Sequence, residues 1–323
     1  MIIAGIDIGG TKCAVSLGRI GSGETVQILG KQQFPTPRGH EQALQQLGDA
    51  LEALLNAHGC PELAAIGISC GGPLDSRRGR ILSPPNLPGW DDVDAVTPFR
   101  ERFGVPTALQ NDANAGALAE WQWGAGRGCR NMVFLTFGTG MGAGLILNGE
   151  LYSGTNDLAG EAGHIRLAED GPLGYGKRGS FEGFCSGGGV GRLAQAMAKE
   201  HLQAGKTTLY CRSLDDLPSV TAQKVGEAAQ QGDELALRVF AVVAEYLGRG
   251  LAVLIDILNP EKIVIGSIYL RQKQLLEPIM LQTLRTEALA QSLAVCEIVP
   301  AGLGELVGDY ASLSVAKYCL RTG

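Results

Sequence analysis

The chain has 323 residues, room for two lobes rather than one core, and its 47 glycines are about twice the usual share while its 14 prolines are ordinary. Many tight turns are therefore expected, without disorder. Lys plus Arg number 27 against 33 Asp plus Glu, a formal charge of −6 with no dense basic run, which argues against nucleic acid as a partner.

Cys13, Cys60, Cys70, Cys129, Cys185, Cys211, Cys296 and Cys319 are scattered without a CxxC pair. That is the pattern of reduced thiols in a cytosolic protein rather than of a disulfide framework. The first residues form a strand with no basic flank, so no secretory leader is expected. The most apolar helical stretch, around Leu247 to Leu258, carries Arg249 and Asp256 and falls short of a membrane span. A cytoplasmic protein without a membrane partner is expected.

Ile2 to Ile8 reads as a buried strand and Lys12 to Leu17 as a second, joined by a turn holding Gly9, Gly10 and Thr11. The turn's N–H groups, with Thr11 and Lys12 beside them, suit a phosphate, and Asp7 would then hold Mg²⁺ through water. The alternative is an ordinary hairpin whose aspartate stabilises the turn. Val26 to Phe34 is a third strand, Glu41 to His58 a helix with Leu44, Leu47, Leu51, Leu54 and Leu55 on one face, and Ala64 to Ser69 a further strand. His40 and His58 read as solvent caps of that helix. The loop Ser83 to Trp90 has prolines on both sides of Asn86, which pre-positions its amide; alternatively it is a solvent turn over a tucked Trp90.

After a strand Thr107 to Gln110, Asn111 and Asp112 open a helix, as N-caps or as a carboxylate kept ionised by the helix dipole, which a general base requires. Asn131 to Phe137 runs into a second glycine hairpin, Gly138 to Gly144, that echoes the first as a duplicated fold would. Neither hairpin has GxGxxG or GxxxxGK[ST] spacing, which sets aside a dinucleotide fold and a P-loop. Glu161 to His164 and Lys177 to Glu182 lie in a glycine-rich stretch. Helices follow at Val190 to His201, Ala222 to Gln231 and Glu234 to Leu258, then a strand Ile263 to Ile265 and a last helix from about Glu305 to Leu320.

Asp7 to Lys12 (DIGGTK), Asn111 to Leu118 (NDANAGAL), Gly138 to Gly144 (GTGMGAG) and Glu161 to His164 (EAGH) together resemble the ROK family of sugar kinases and repressors, within the actin, hexokinase and Hsp70 ATPase superfamily. The resemblance covers nearly the whole chain. It implies an α/β, two-lobed actin-like ATPase (ribonuclease H-like) fold with a cleft between the lobes. Residues 1–112 would form the smaller lobe, joined by the C-terminal helix at about 305–323, and 113–304 the larger.

By that resemblance Asp112 is the general base for a sugar hydroxyl, usually the 6-hydroxyl of a hexose or N-acetylhexosamine, as it attacks the γ-phosphate of ATP. Asn86, Asn111, Glu161, His164 and Glu182 would hold the other hydroxyls. Gly9, Gly10, Thr11, Lys12, Thr136, Gly138, Thr139 and Gly140 would line the phosphates, with Gly266 near the adenosine and Mg²⁺ on Asp7. A homodimer is implied. A sugar sensor or regulator lacking a DNA-binding domain is the alternative, and the hairpin's position at residue 2 leaves no room for a helix-turn-helix ahead of it.

Many family members also carry a zinc site made by the motif histidine and three cysteines in CxCGxxGCxE. Here Leu173, Tyr175 and Ser180 stand at the three thiolate positions, so no structural zinc is expected, with packing around Tyr175 and Phe181 holding the loop. Ser267 follows Gly266 where a second glycine is common.

Overall fold

The computed structural model describes every residue except Ser22, Glu24 and Gly323. The chain begins β1 (Ile2–Ile8), β2 (Lys12–Ile20), β3 (Val26–Pro35), α1 (His40–Ala57) and β4 (Leu63–Cys70). A small ribbon follows, β5 (Leu74–Asp75), β6 (Arg80–Ile81) and β7 (Val93–Asp94), then α2 (Thr97–Phe103), β8 (Thr107–Asn111) and α3 (Asp112–Trp123). Next come β9 (Met132–Phe137), β10 (Met141–Leu147), β11 (Glu150–Leu151), β12 (Leu173–Gly174) and β13 (Lys177–Arg178). The rest is largely helical: α4 (Phe181–Phe184), α5 (Gly187–Gln203), α6 (Ala222–Gln230), α7 (Glu234–Leu258), β14 (Lys262–Ile265), α8 (Ile268–Glu287), α9 (Ala290–Leu293), β15 (Glu297–Pro300) and α10 (Val307–Thr322). Among the described residues no helix is long and apolar enough to cross a membrane.

Two compact units emerge: residues 1–130 with 144–159 and 305–323, and residues 131–143 with 160–304. The expected smaller lobe stopped at Asp112. In the structure α3, which starts there, lies against α10 and groups with the first unit.

The first unit is built on a sheet in the order β3-β2-β1-β4-β8. Alternation in β1 sets its faces: Ile2, Ala4, Ile6 and Ile8 join Leu47, Leu51 and Leu54 of α1 in one core, while Ile3 joins Leu313 and Ala316 of α10 in another. The antiparallel β1–β2 pair is the glycine hairpin, and β1, β4 and β8 run parallel. Their register aligns Ile8 with Cys70 and Cys70 with Asn111, so three strands end side by side. Ligands of open α/β sheets bind at such carboxyl ends.

The second unit has β14 between β9 and β15, all parallel. Helix α7 packs against α4, α5, α6 and α8, with Val239, Phe240, Val243, Leu247 and Leu251 buried. Its apolar stripe is therefore core. Helix α8 has no counterpart in the sequence reading, because Pro278 lies inside it and non-helical angles at Gln272 (φ −119°, ψ 22°) break its period. The last helix starts at Val307, after a 3₁₀ turn at Gly304–Leu306.

Helix α10 sits directly on the backbone of β1 and β4: a methyl at Gly67 would overlap Ser312 O and Ala316 N, and one at Gly5 would overlap Ser312. Gly67→Ala is therefore expected to lift α10 off the sheet at a cost of about 2–4 kcal/mol. The melting temperature should fall by several degrees; an unchanged melting curve would show that this contact is dispensable.

Candidate active site

Within the first unit the sequence-predicted residues converge on the carboxyl ends of β1, β4 and β8. Asp7 is the penultimate residue of β1 and pairs with Ala14 and Ser69. Asn111 caps α3, its Oδ1 accepting from Asn114 N at 2.8 Å, which leaves its amide NH₂ for a ligand. Asp112 is the first residue of α3 and keeps an open face to solvent, with Oδ1 accepting from Ala113 N at 2.8 Å. Asn86 is exposed at the tip of its loop, which Ser83 N and Trp90 O close at 2.9 Å over the buried Trp90. Its backbone presses on Gly10, where a Cβ would overlap Asn86 O, and its amide lies over Gly71.

The electrostatics of this cluster are uncomfortable. Burial, helped by the charges of Asp112 and Asp309 and opposed by Lys31 and Lys12, pushes the Asp7 carboxyl up to about 6. Burial also raises Asp112, while the N–H of Ala113 and its own N–H hold it down. Two hard oxygen donors carrying surplus negative charge suit a divalent cation that keeps several waters, so Asp7 fits the role of a magnesium contact.

Both glycine hairpins use their first glycine to close the turn. Gly9 N donates to Lys12 O at 3.2 Å and Gly138 N to Gly140 O at 3.1 Å. The Thr11 and Thr139 side chains are exposed beside these turns. Thr136 Oγ1 accepts from Gly142 N at 3.0 Å and so braces the second hairpin. Gly187 N, at the start of α5, donates to Gly138 O at 2.7 Å.

Glu182 also belongs to this second-unit cluster. Its Oε2 accepts from Met141 N at 3.1 Å, and its Cβ faces Gly163 of the turn Ala162–His164. Part of the Glu182 carboxylate is therefore committed to the hairpin. Glu161 precedes that turn and is exposed; His164 ends it, half-buried.

Gly266 N bonds Leu135 O at 3.0 Å, and Ser267 after it adopts φ 56°, ψ −111°. Glycine takes those angles without strain; serine does not. Gly266 thus sits beside the one substitution in this motif that carries backbone strain. A cavity of about 960 Å³ opens here, lined by Gly138, Thr139, Gly187, Thr221, Ser267 and Arg271. The sequence reading missed Thr221 and Arg271, which carry no motif and meet the hairpin only because α6 and α8 begin beside it.

At the three thiolate positions the side chains have other tasks. Leu173 and Tyr175 belong to the β12–β13 hairpin, and Ser180 Oγ accepts from Gly183 N at 3.1 Å to cap α4. Phe181 is fully buried against Gly250 of α7, as expected of the loop's packing. Tyr175 differs: it is 69% exposed, and its ring packs against that of His164.

The raised Asp7 carboxyl has a signed consequence. Its folded value, about 6, exceeds the roughly 3.9 of an unfolded aspartate, so its stabilising share is complete below about pH 4 and is lost as pH rises through 6. Asp7→Asn should therefore stabilise the ligand-free protein at pH 7.5 by up to about 2–3 kcal/mol, read as a higher melting temperature, and give little gain at pH 4. Equal effects at both pH values would show that Asp7 is not strained by its surroundings.

A ROK family profile matches residues 3–315. A glucokinase of Halalkalibacterium halodurans is 36% identical over 269 residues, covering 81% of this chain and 79% of that protein. A ROK hexokinase from Thermus thermophilus superposes with a TM-score of 0.82 at 29% identity, over 100% of both chains. A ROK family glucokinase from Streptomyces griseus, solved with glucose and AMPPNP, gives 0.75 at 29% identity over 98% of this chain and 100% of that one. The fold shared with these structures is the two-lobed actin-like ATPase fold. With the family profile spanning residues 3–315, from β1 into α10, and a relative 36% identical over 81% of the chain, the chain belongs to the ROK family.

Proposed function

We propose that the chain is an ATP-dependent sugar kinase that phosphorylates a hexose or N-acetylhexosamine at its 6-hydroxyl. The observation that carries this reading is Asp112: a carboxyl at the start of α3 that keeps one open face while the protein packed around it raises it, beside a second acidic group at the carboxyl ends of parallel strands. A carboxyl raised from its usual value is better matched to taking a hydroxyl proton. Asp112 accepts the proton of the sugar hydroxyl as that oxygen attacks the γ-phosphorus, and ADP departs with the bridging oxygen.

Phosphoryl transfer needs alignment and charge neutralisation more than covalent help. Gly9, Gly10, Thr11 and Lys12, with Thr136, Gly138, Thr139 and Gly140, line the phosphates, the N–H groups of Gly9 and Gly138 and the Thr136 hydroxyl bracing the turns whose remaining N–H groups and the Thr11, Lys12 and Thr139 side chains meet the ligand. Asp7 would hold, through water, a magnesium ion that neutralises phosphate charge. The cavity beside Gly266 is within the size range of small-molecule sites and would take the adenosine, with Thr221 and Arg271 at its wall. Asn86, Asn111, Glu161, His164 and Glu182 read the remaining hydroxyls, each able to accept or donate in more than one direction. A homodimer in the cytoplasm completes the reading.

The test is ADP release with Mg·ATP across hexoses and N-acetylhexosamines, glucose first because relatives at 30–36% identity are glucokinases. Asp112→Asn should lower kcat by about 10²–10⁴-fold while nucleotide affinity is kept. Silence across the panel with nucleotide still bound would replace the kinase with a sugar sensor.

A further inference from the structure

The stretch aligned with the family's zinc loop is rebuilt here as a hydrogen-bonded hairpin. Leu173 pairs with Arg178 and Gly174 with Lys177, and the two turn residues, Tyr175 (φ 41°) and Gly176 (φ 77°), are both left-handed. Positive φ at both central positions is the mark of a type I′ turn, whose twist matches that of the strands it joins. The hairpin is stitched to the chain that follows the Ala162–His164 turn. Leu167 N donates to Gly179 O at 2.8 Å, Phe181 N to Ile165 O at 2.8 Å, and Arg166 Nη1 to Arg178 O at 2.9 Å.

Two side chains reach from this platform to His164. The Tyr175 and His164 rings meet edge to face, with centroids 5.1 Å apart and planes at 81°. Lys177 Nζ donates to His164 O at 2.7 Å, anchoring the backbone of the same residue. Neither ring nitrogen of His164 is hydrogen-bonded among the described residues. The donor set does not fit a structural zinc, because leucine, a tyrosine whose ring packs T-shaped against the imidazole and a serine committed to capping α4 stand where thiolates would be needed.

We propose that Tyr175 and Lys177 are positioning residues that take over the metal's task of orienting the His164 imidazole, Tyr175 through the ring and Lys177 through the backbone. A metal would consume one ring nitrogen. The T-shaped contact holds the ring plane, and with neither ring nitrogen hydrogen-bonded among the described residues the neutral imidazole keeps one donor and one acceptor for a polyol. This rests on the reading of His164 as a sugar contact.

The test is a double-mutant cycle in the sugar kinase assay. Tyr175→Ala and Lys177→Met should each raise the sugar KM about three- to tenfold with kcat and the KM for ATP unchanged, and Tyr175→Phe should restore the KM. In a His164→Ala background Tyr175→Ala should add nothing. Additive effects would overturn the proposal, as would stoichiometric zinc in the purified protein. If His164→Ala raises the KM and Tyr175→Ala does not, the proposal falls and the sugar reading stands. If His164→Ala leaves the KM unchanged, the sugar reading of His164 falls. Imidazole resonances give an activity-independent arm: those of His164 should shift or broaden in Tyr175→Ala and not in Tyr175→Phe, and no change in either would overturn the positioning role whether or not a sugar turns over.

Discussion

Three parallel strands of one sheet end in register, and two of those ends carry a carboxylate. The alignment of Ile8, Cys70 and Asn111 leaves Asp7 and Asp112 no way to avoid one another's field. Pairing in a sheet is stiff: a one-residue slip would turn every side chain of β1 to the other face and empty both cores. The backbone therefore holds the two carboxyls near one another in a partly buried place, where burial first and the neighbouring acid second raise Asp7 and where a cation would favour its ionised form. Shifts of this kind belong at sites of chemistry rather than in the scaffold.

The scaffold meets the constraint with close backbone contacts. Helix α10 lies backbone to backbone on Gly67 and through Ser312 on Gly5, which sets the depth of β1 and β4. The Asn86 loop closes on Gly10 in the same manner. None of Gly9, Gly10, Gly138 and Gly140 has a positive φ; a Cβ at Gly9 or Gly10 would overlap Lys12 O or Asn86 O, and one at Gly140 would press on a neighbouring side chain, while Gly138 has room for one. At Gly140 that neighbour is the Glu182 carboxylate. The hairpins are thus shaped by what packs on them as well as by what they bind.

Where the chain departs from its family, other interactions occupy the altered positions. Ser180, at a position where the motif would place a thiolate, caps α4, Phe181 fills the space against Gly250, and Leu173–Arg178 forms a tight hairpin. A metal centre draws four ligands to one point, whereas these contacts are spread along the segment and each can be lost separately. Ser267 is the opposite case, a substitution that leaves its backbone in angles glycine would adopt more easily.

Local chemistry made much of this protein legible in the residues alone. The apolar run Ile2 to Ile8 announced β1, the leucine spacing announced α1, the long helix expected over Glu234 to Leu258 is α7, and the turn glycines and the Asn111–Asp112 helix start announced the two hairpins and α3. These signals depend on neighbours within a few positions, which is why a linear reading finds them. Helix α8 was hidden by Pro278 and the break at Gln272, since propensity and period fail where packing alone sustains a helix. The raised carboxyl of Asp7, the seat of Asn86 on Gly10, the cavity wall at Thr221 and Arg271 and the grip of Tyr175 and Lys177 on His164 were decided only by tertiary structure. Each joins segments far apart in the chain or depends on burial, and neither partner of such a contact is written in the other's vicinity.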